Sequence, residues 1–152
     1  MAPVPPSRSF MQLALDEARA TAARGEVPVG CVIVREGEVV ARAGNRTLAD
    51  RDPTGHAELI AIRATAKALG TERLTDCDLY VTLEPCAMCA AALSFARVRR
   101  LYFGAADPKG GAVDNGVRFF GSPSCHHRPE VYGGIGESEC ASLLKDFFQA
   151  RR

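Results

Sequence analysis

Two short stretches of this chain carry residue types that can do chemistry together: His56-Ala57-Glu58, and Pro85-Cys86-Ala87-Met88-Cys89 some thirty residues later. Zinc favours thiolate and imidazole ligands, and a catalytic zinc site keeps three protein ligands with a fourth position open to water. His56, Cys86 and Cys89 supply that set. Two cysteines with two residues between them at a helix start can turn both sulfurs to one metal. Pro85 suits such a start, because the first helical N–H has no intrahelical partner to lose. The positive end of the helix also favours thiolates. Glu58, two residues from the histidine, is close enough to exchange a proton with water at the metal without being a ligand itself.

Each piece alone has a duller explanation. A lone C-x-x-C is ambiguous between structural zinc, a redox dithiol and chance, and a lone H-x-E usually means nothing. A thioredoxin-type dithiol would not need the upstream His and Glu. A structural zinc has four protein ligands, and no fourth falls at a zinc-finger spacing here. Both motifs in this order, with proline ahead of the first cysteine, point to catalytic zinc.

The elements that must position these residues follow from periodicity. Apolar positions at Phe10, Leu13, Ala14 and Ala18 recur at helical spacing and predict a helix over 9–24, after a proline-rich lead over 1–8. Residues 29–35 and 38–45 flank Glu36-Gly37 and read as a β-hairpin. A polar loop over 46–55 leads to a helix over 56–69 that Gly70 closes, placing His56 and Glu58 in its first turn. Residues 78–83 read as a buried strand delivering Pro85 and Cys86, followed by a helix over 86–96 and a strand over 100–104. A long loop over 105–129, a short strand over 130–132 and a helix over 137–151 complete the chain. The order gives a single α/β domain over 1–152 in three layers, with a mixed sheet between helices.

Composition agrees with one globular domain: 152 residues, 47% hydrophobic and 24% charged. No apolar run approaches the ~18 residues of a membrane span, and the N-terminus shows no secretory h-region. Two of six cysteines are claimed by the metal motif; Cys31 and Cys140 read as small buried residues, and a reducing cytoplasm is the simplest compartment. Net charge is only +1, but unevenly spread: −2 over 1–96 and +3 over 97–152. Arg97, Arg99, Arg100 and Lys109 belong to the basic part and could form a phosphate-facing surface, although scattered solvated charge explains them equally well.

Further stretches carry a resemblance: Glu26-Val27-Pro28-Val29-Gly30, Gly44-Asn45-Arg46, Asp52-Pro53-Thr54, Thr82-Leu83-Glu84-Pro85-Cys86 and Asp146-Phe147-Phe148. With the zinc motifs, they make the chain resemble the bacterial tRNA-specific adenosine deaminases, which convert the wobble adenosine of an arginine tRNA to inosine. The resemblance implies a cytidine-deaminase-like α/β/α fold around a mixed five-stranded sheet. It implies zinc as cofactor, Glu58 as the catalytic proton carrier between water and the adenine ring, and a homodimer. It places Asn45, Val27 and Glu84 at the substrate, and Asp107, Lys109, Phe147 and Phe148 against the anticodon stem-loop. Of the two phenylalanines, one is expected to pack inward and one to approach the RNA.

The sequence also departs from the family pattern. Gly55 and Ala106 stand where larger residues are usual, and the stretch 121–128, with His126 and His127, differs in its histidine placement. Three other readings remain at this point. The first is a deaminase of a free base or nucleoside such as guanine or cytosine. The second is a zinc-stabilised binding module without catalysis, which would have no reason to keep Glu58. The third is an engineered deaminase acting on single-stranded DNA.

Overall fold

The computed structural model describes residues 6–151. Helix α1 spans Pro6–Ala23 and starts three residues ahead of the sequence expectation, because proline fits the first turn of a helix. Positions 1–5 of the expected lead lie outside the described residues. Met11, Ala14, Leu15, Ala18 and Thr21 form its buried stripe, at the three-to-four-residue spacing of one helix face. Strands β1 (Gly30–Arg35) and β2 (Glu38–Gly44) pair antiparallel across Glu36-Gly37. Both turn residues have positive φ, 52° and 78°, as a tight hairpin with the sheet's twist requires.

Helix α2 (Ala57–Leu69) ends on Gly70, whose left-handed backbone (φ 68°) returns its N–H to the Ala66 carbonyl. Strand β3 (Cys77–Leu83), helix α3 (Ala87–Ala96), strand β4 (Arg100–Ala105), strand β5 (Glu130–Tyr132) and helix α4 (Glu137–Gln149) follow. The long 105–129 connection contains only a 3-10 turn at Phe119–Gly121.

The sheet order is β2-β1-β3-β4-β5, with β3 antiparallel to β1 and parallel to β4, and β5 parallel to β4. Side chains alternate between its two faces. Cys31, Ile33, Leu79, Val81, Leu101 and Phe103 join a core with Ala57 and Ala61 of α2 and with Ala90 and Leu93 of α3. Val32, Val34, Tyr80 and Ala105 join a second core with Met11 and Leu15 of α1 and Cys140 of α4. These are the three layers the element order implied. Helix α1 sits so close to β1 and β2 that a Cβ at Gly30 would strike the Ala14 carbonyl oxygen, and one at Gly44 the Thr21 hydroxyl. Among the described residues, no helix is long and apolar enough to cross a membrane.

Candidate metal centre and active-site cavity

The functional residues gather where β3 ends, the edge at which ligands characteristically meet α/β sheets. Leu83 closes β3, and Glu84-Pro85 turns the chain so that Cys86 caps α3. From the other side, the loop after β2 brings in His56 as the cap of α2. Neither cap residue makes a side-chain capping hydrogen bond. The side chains of both meet each other instead, with Cys89 from the first turn of α3.

Cys86 Sγ and Cys89 Sγ each lie 3.6 Å from His56 Nδ1. Ligands at about 2.3 Å (S) and 2.1 Å (N) around a tetrahedral zinc are about 3.6 Å apart, so the spacing matches one shared ion. All three donor atoms fall within 4.8 Å of one another. The residues therefore fit zinc. Their protons tell the same story. The Cys86 thiol is drawn down to about 4, by hydrogen bonding from Cys89 and by His56. Cys89 is pushed far up by the same bond and by burial, and His56 is raised by its bond to Cys86. Three donors pressed together share too few protons, and a cation would displace those that remain.

Glu58 is buried at 4% exposure, in the first turn of α2. Burial raises its carboxyl to about 7. It lines a cavity of about 400 Å³ together with His56, Cys86, Val27, Asn45 and Asp107, a size usual for a small-ligand site. Asn45 Oδ1 accepts the Thr47 backbone N–H at 3.2 Å, and its amide nitrogen reaches the Val27 carbonyl at 3.4 Å. Asn45 thus stabilises the turn after β2 while its side chain borders the cavity. Asp107 Oδ1 accepts the backbone N–H groups of Lys109 and Gly110.

Glu84 also borders the cavity, but both of its oxygens are engaged by the 107–115 loop. Burial tends to raise its carboxyl, but hydrogen bonds from Asp107, Asn115 and Val113 hold it below the usual glutamate value.

Lys109, Phe147 and Phe148 do not border the cavity. Lys109 is exposed on the rim loop. Phe147 is 8% exposed and Phe148 48%, the split expected of the pair, and the Arg151 guanidinium lies 3.5 Å over the Phe147 ring. The basic surface is partly dispersed: Arg99 pairs with Asp78 and Arg100 with Glu130, at the opposite end of β3 and β4 from the cavity. His127 holds its own loop, donating from Nε2 to the Val98 carbonyl at 2.7 Å while its backbone N–H meets Ser94 Oγ. Thr47 and Gly110 border the cavity as well; both sit in loops with no periodic signal. Asn115 was missed too, in an Asp-Asn-Gly run that reads only as a turn.

The chain is similar to known proteins over most of its length. Residues 6–105 match the cytidine and deoxycytidylate deaminase zinc-binding region. The tRNA-specific adenosine deaminase of Agrobacterium fabrum is 62% identical over 143 residues, 94% of each chain. That of Bacillus subtilis is 43% identical over 94% of this chain and 89% of its own. A solved structure from studies of A-to-I editing by tRNA:A34 deaminases superposes with a TM-score of 0.88 at 62% identity, covering 90% of this chain and 99% of the other. A guanine deaminase from Nitrosomonas europaea, 22% identical, shares the fold at a TM-score of 0.81 over 97% of this chain and 86% of the other. On its motifs, its fold and these relatives, the chain belongs to the tRNA-specific adenosine deaminases, within the cytidine and deoxycytidylate deaminase zinc-binding family.

Proposed function

We propose that this protein hydrolyses the wobble adenosine of a tRNA anticodon loop to inosine, releasing ammonia, with zinc held by His56, Cys86 and Cys89. The observation that carries the reading is the 3.6 Å spacing of both sulfurs from His56 Nδ1, with buried Glu58 on the wall of the same cavity. The 62% identity to the Agrobacterium fabrum enzyme supports the substrate.

Zinc in this set supplies Lewis-acid activation of water, lowering its pKa towards ~7. The rest falls to the chain's own residues. Glu58 accepts a proton from the attacking water and delivers it to N1 of adenine as C6 gains a hydroxyl. It then carries that hydroxyl's remaining proton to the amino group, so that C6=O forms as the C–N bond breaks and ammonia leaves. Burial favours its protonated form, which suits a group that must take up a proton and pass it on. Val27 offers an apolar wall to the base, and Asn45 an amide within the cavity. Asp107 Oδ2 has no protein donor among the described residues and suits a ribose 2′-hydroxyl, which DNA lacks. The adenosine must leave the loop's stack to enter. Lys109 and exposed Phe148 lie outside the cavity, where they would meet phosphate and unstacked bases. The reading includes a homodimer, supported by the family resemblance and by Phe95 of α3, an apolar side chain 70% exposed that a second copy would cover.

The test is a zinc-loaded preparation incubated with an arginine-tRNA anticodon stem-loop, assayed for inosine beside free adenosine, guanine and cytidine. Inosine confined to the stem-loop is the expected result. Turnover of a free base with the stem-loop untouched would reassign the substrate and leave the metal chemistry standing. Sedimentation of the same preparation reads the dimer.

A further inference from the structure

Glu84 stands two residues before the metal-ligating Cys86, and its carboxylate is 2% exposed. It nevertheless collects five donors, all from one irregular loop. Oε1 accepts the Asp107 backbone N–H at 2.9 Å and the Asn115 side-chain amide at 2.7 Å. Oε2 accepts the backbone N–H groups of Val113, Asp114 and Asn115 at 3.0, 2.9 and 3.0 Å. The Pro85 carbonyl adds a further tie, taking the Ala112 N–H at 2.9 Å. The approach is so close that a Cβ at Gly111 would lie 2.5 Å from Glu84 Cδ and 2.6 Å from the Asp107 carbonyl oxygen. Only glycine fits there.

A buried carboxylate with this many donors has little capacity left for a substrate. Its hydrogen bonds are of the charge-assisted kind, the stronger class. They join the turn that delivers Cys86 to the loop that carries Asp107 and Gly110 along the cavity edge. We infer that Glu84, in place of the substrate-contact role read from the sequence, is a positioning residue. It holds the 107–115 loop as a preformed wall of the RNA-binding mouth, and so sets substrate affinity more than the chemical step. This rests on the reading above that the cavity takes an anticodon-loop adenosine. A preformed wall spares the loop's ordering cost at the moment of binding.

The test compares zinc-loaded wild type, Glu84→Gln and Asn115→Ala by amide hydrogen exchange and by steady-state kinetics on the stem-loop. Glutamine keeps the shape but turns an NH2 towards backbone donors. Expected are slow exchange at Asp107, Val113, Asp114 and Asn115 in the wild type, and faster exchange at those amides in Glu84→Gln with zinc content unchanged. KM should rise about tenfold or more, for the loss of buried charge-assisted bonds, with kcat nearly preserved. Asn115→Ala, which removes only the bond to Oε1, should show a smaller change of the same kind. Unaltered loop exchange in Glu84→Gln, or a fall in kcat at constant KM, would overturn the inference. Should Glu84→Gln fail to fold or to hold zinc, Asn115→Ala decides: loosened loop amides support the inference, and unchanged ones overturn it. Wild type that leaves the stem-loop untouched would sink the substrate reading, whereas the exchange data would still report on the loop.

Discussion

Cys86 Sγ lies 3.6 Å from His56 Nδ1, although 30 residues separate them in the chain. With Cys89 at the same distance, the trio has the spacing of a single tetrahedral ion. Cys86→Ser should therefore lower zinc from about one ion per chain to well below it, and activity with it. Metal analysis of the purified variant checks this. Full zinc content in Cys86→Ser would remove that sulfur from the ligand set. A chelator should abolish wild-type activity, and added zinc should restore it.

Glu58 shares the cavity but is assigned no bond to the metal. Glu58→Gln should keep zinc and a cooperative thermal transition while kcat falls by about 10²–10⁴, the usual worth of a positioned acid–base group. Loss of zinc in this variant would mean that Glu58 supports the metal rather than moving protons.

Gly30 leaves the Ala14 carbonyl oxygen just enough room for β1 to pass beneath α1. Gly30→Ala should cost about 1–3 kcal/mol or more, since backbone blocks the new methyl. A fall in Tm of about 2–4 °C per kcal/mol is expected for a chain of this size. Gly121→Ala is the control: nothing lies within 4 Å of its added carbon, so its effect should stay within about 0.5 kcal/mol. Equal melting temperatures for the two variants would contradict the close packing.

The Glu84 carboxyl titrates below its ordinary 4.5 because its hydrogen bonds outweigh burial. A depressed acid contributes stability that is fully present above the unfolded value and lost as pH falls through the folded one. The stability gap between wild type and Glu84→Gln, read by urea unfolding, should hold from neutrality down to about 4.5 and narrow below it. A gap that does not narrow in acid would mean that the carboxylate's charge is not what holds the loop.

The layers and the metal trio were legible in the sequence because each rests on local pattern. A continuous apolar run marked β1 as a strand buried on both sides, and the pleat sends Cys31 and Ile33 to one core and Val32 and Val34 to the other. Helix starts were read to within a residue at His56 and Cys86, the usual latitude for helix ends. What pattern could not supply was long-range pairing. Glu84 meets Asn115 31 positions later, and nothing periodic connects them. Arg99 fitted a basic surface and scattered solvated charge equally well by sequence; the fold pairs its guanidinium with Asp78, 21 positions earlier. The two phenylalanines could be told apart only once Arg151 and the turn of α4 showed which ring is covered.

His56 and Cys86 begin their helices without serving as hydrogen-bonding caps. The first-turn amides of α2 and α3 thus lack the side-chain acceptor that a serine or aspartate would have offered, worth about 0.5–2 kcal/mol at each end. A shared ion ties both ends at once, so the two helices lose their independence. Removing it would fray both from the same point, and the affinity for the metal would be measurable as helix content.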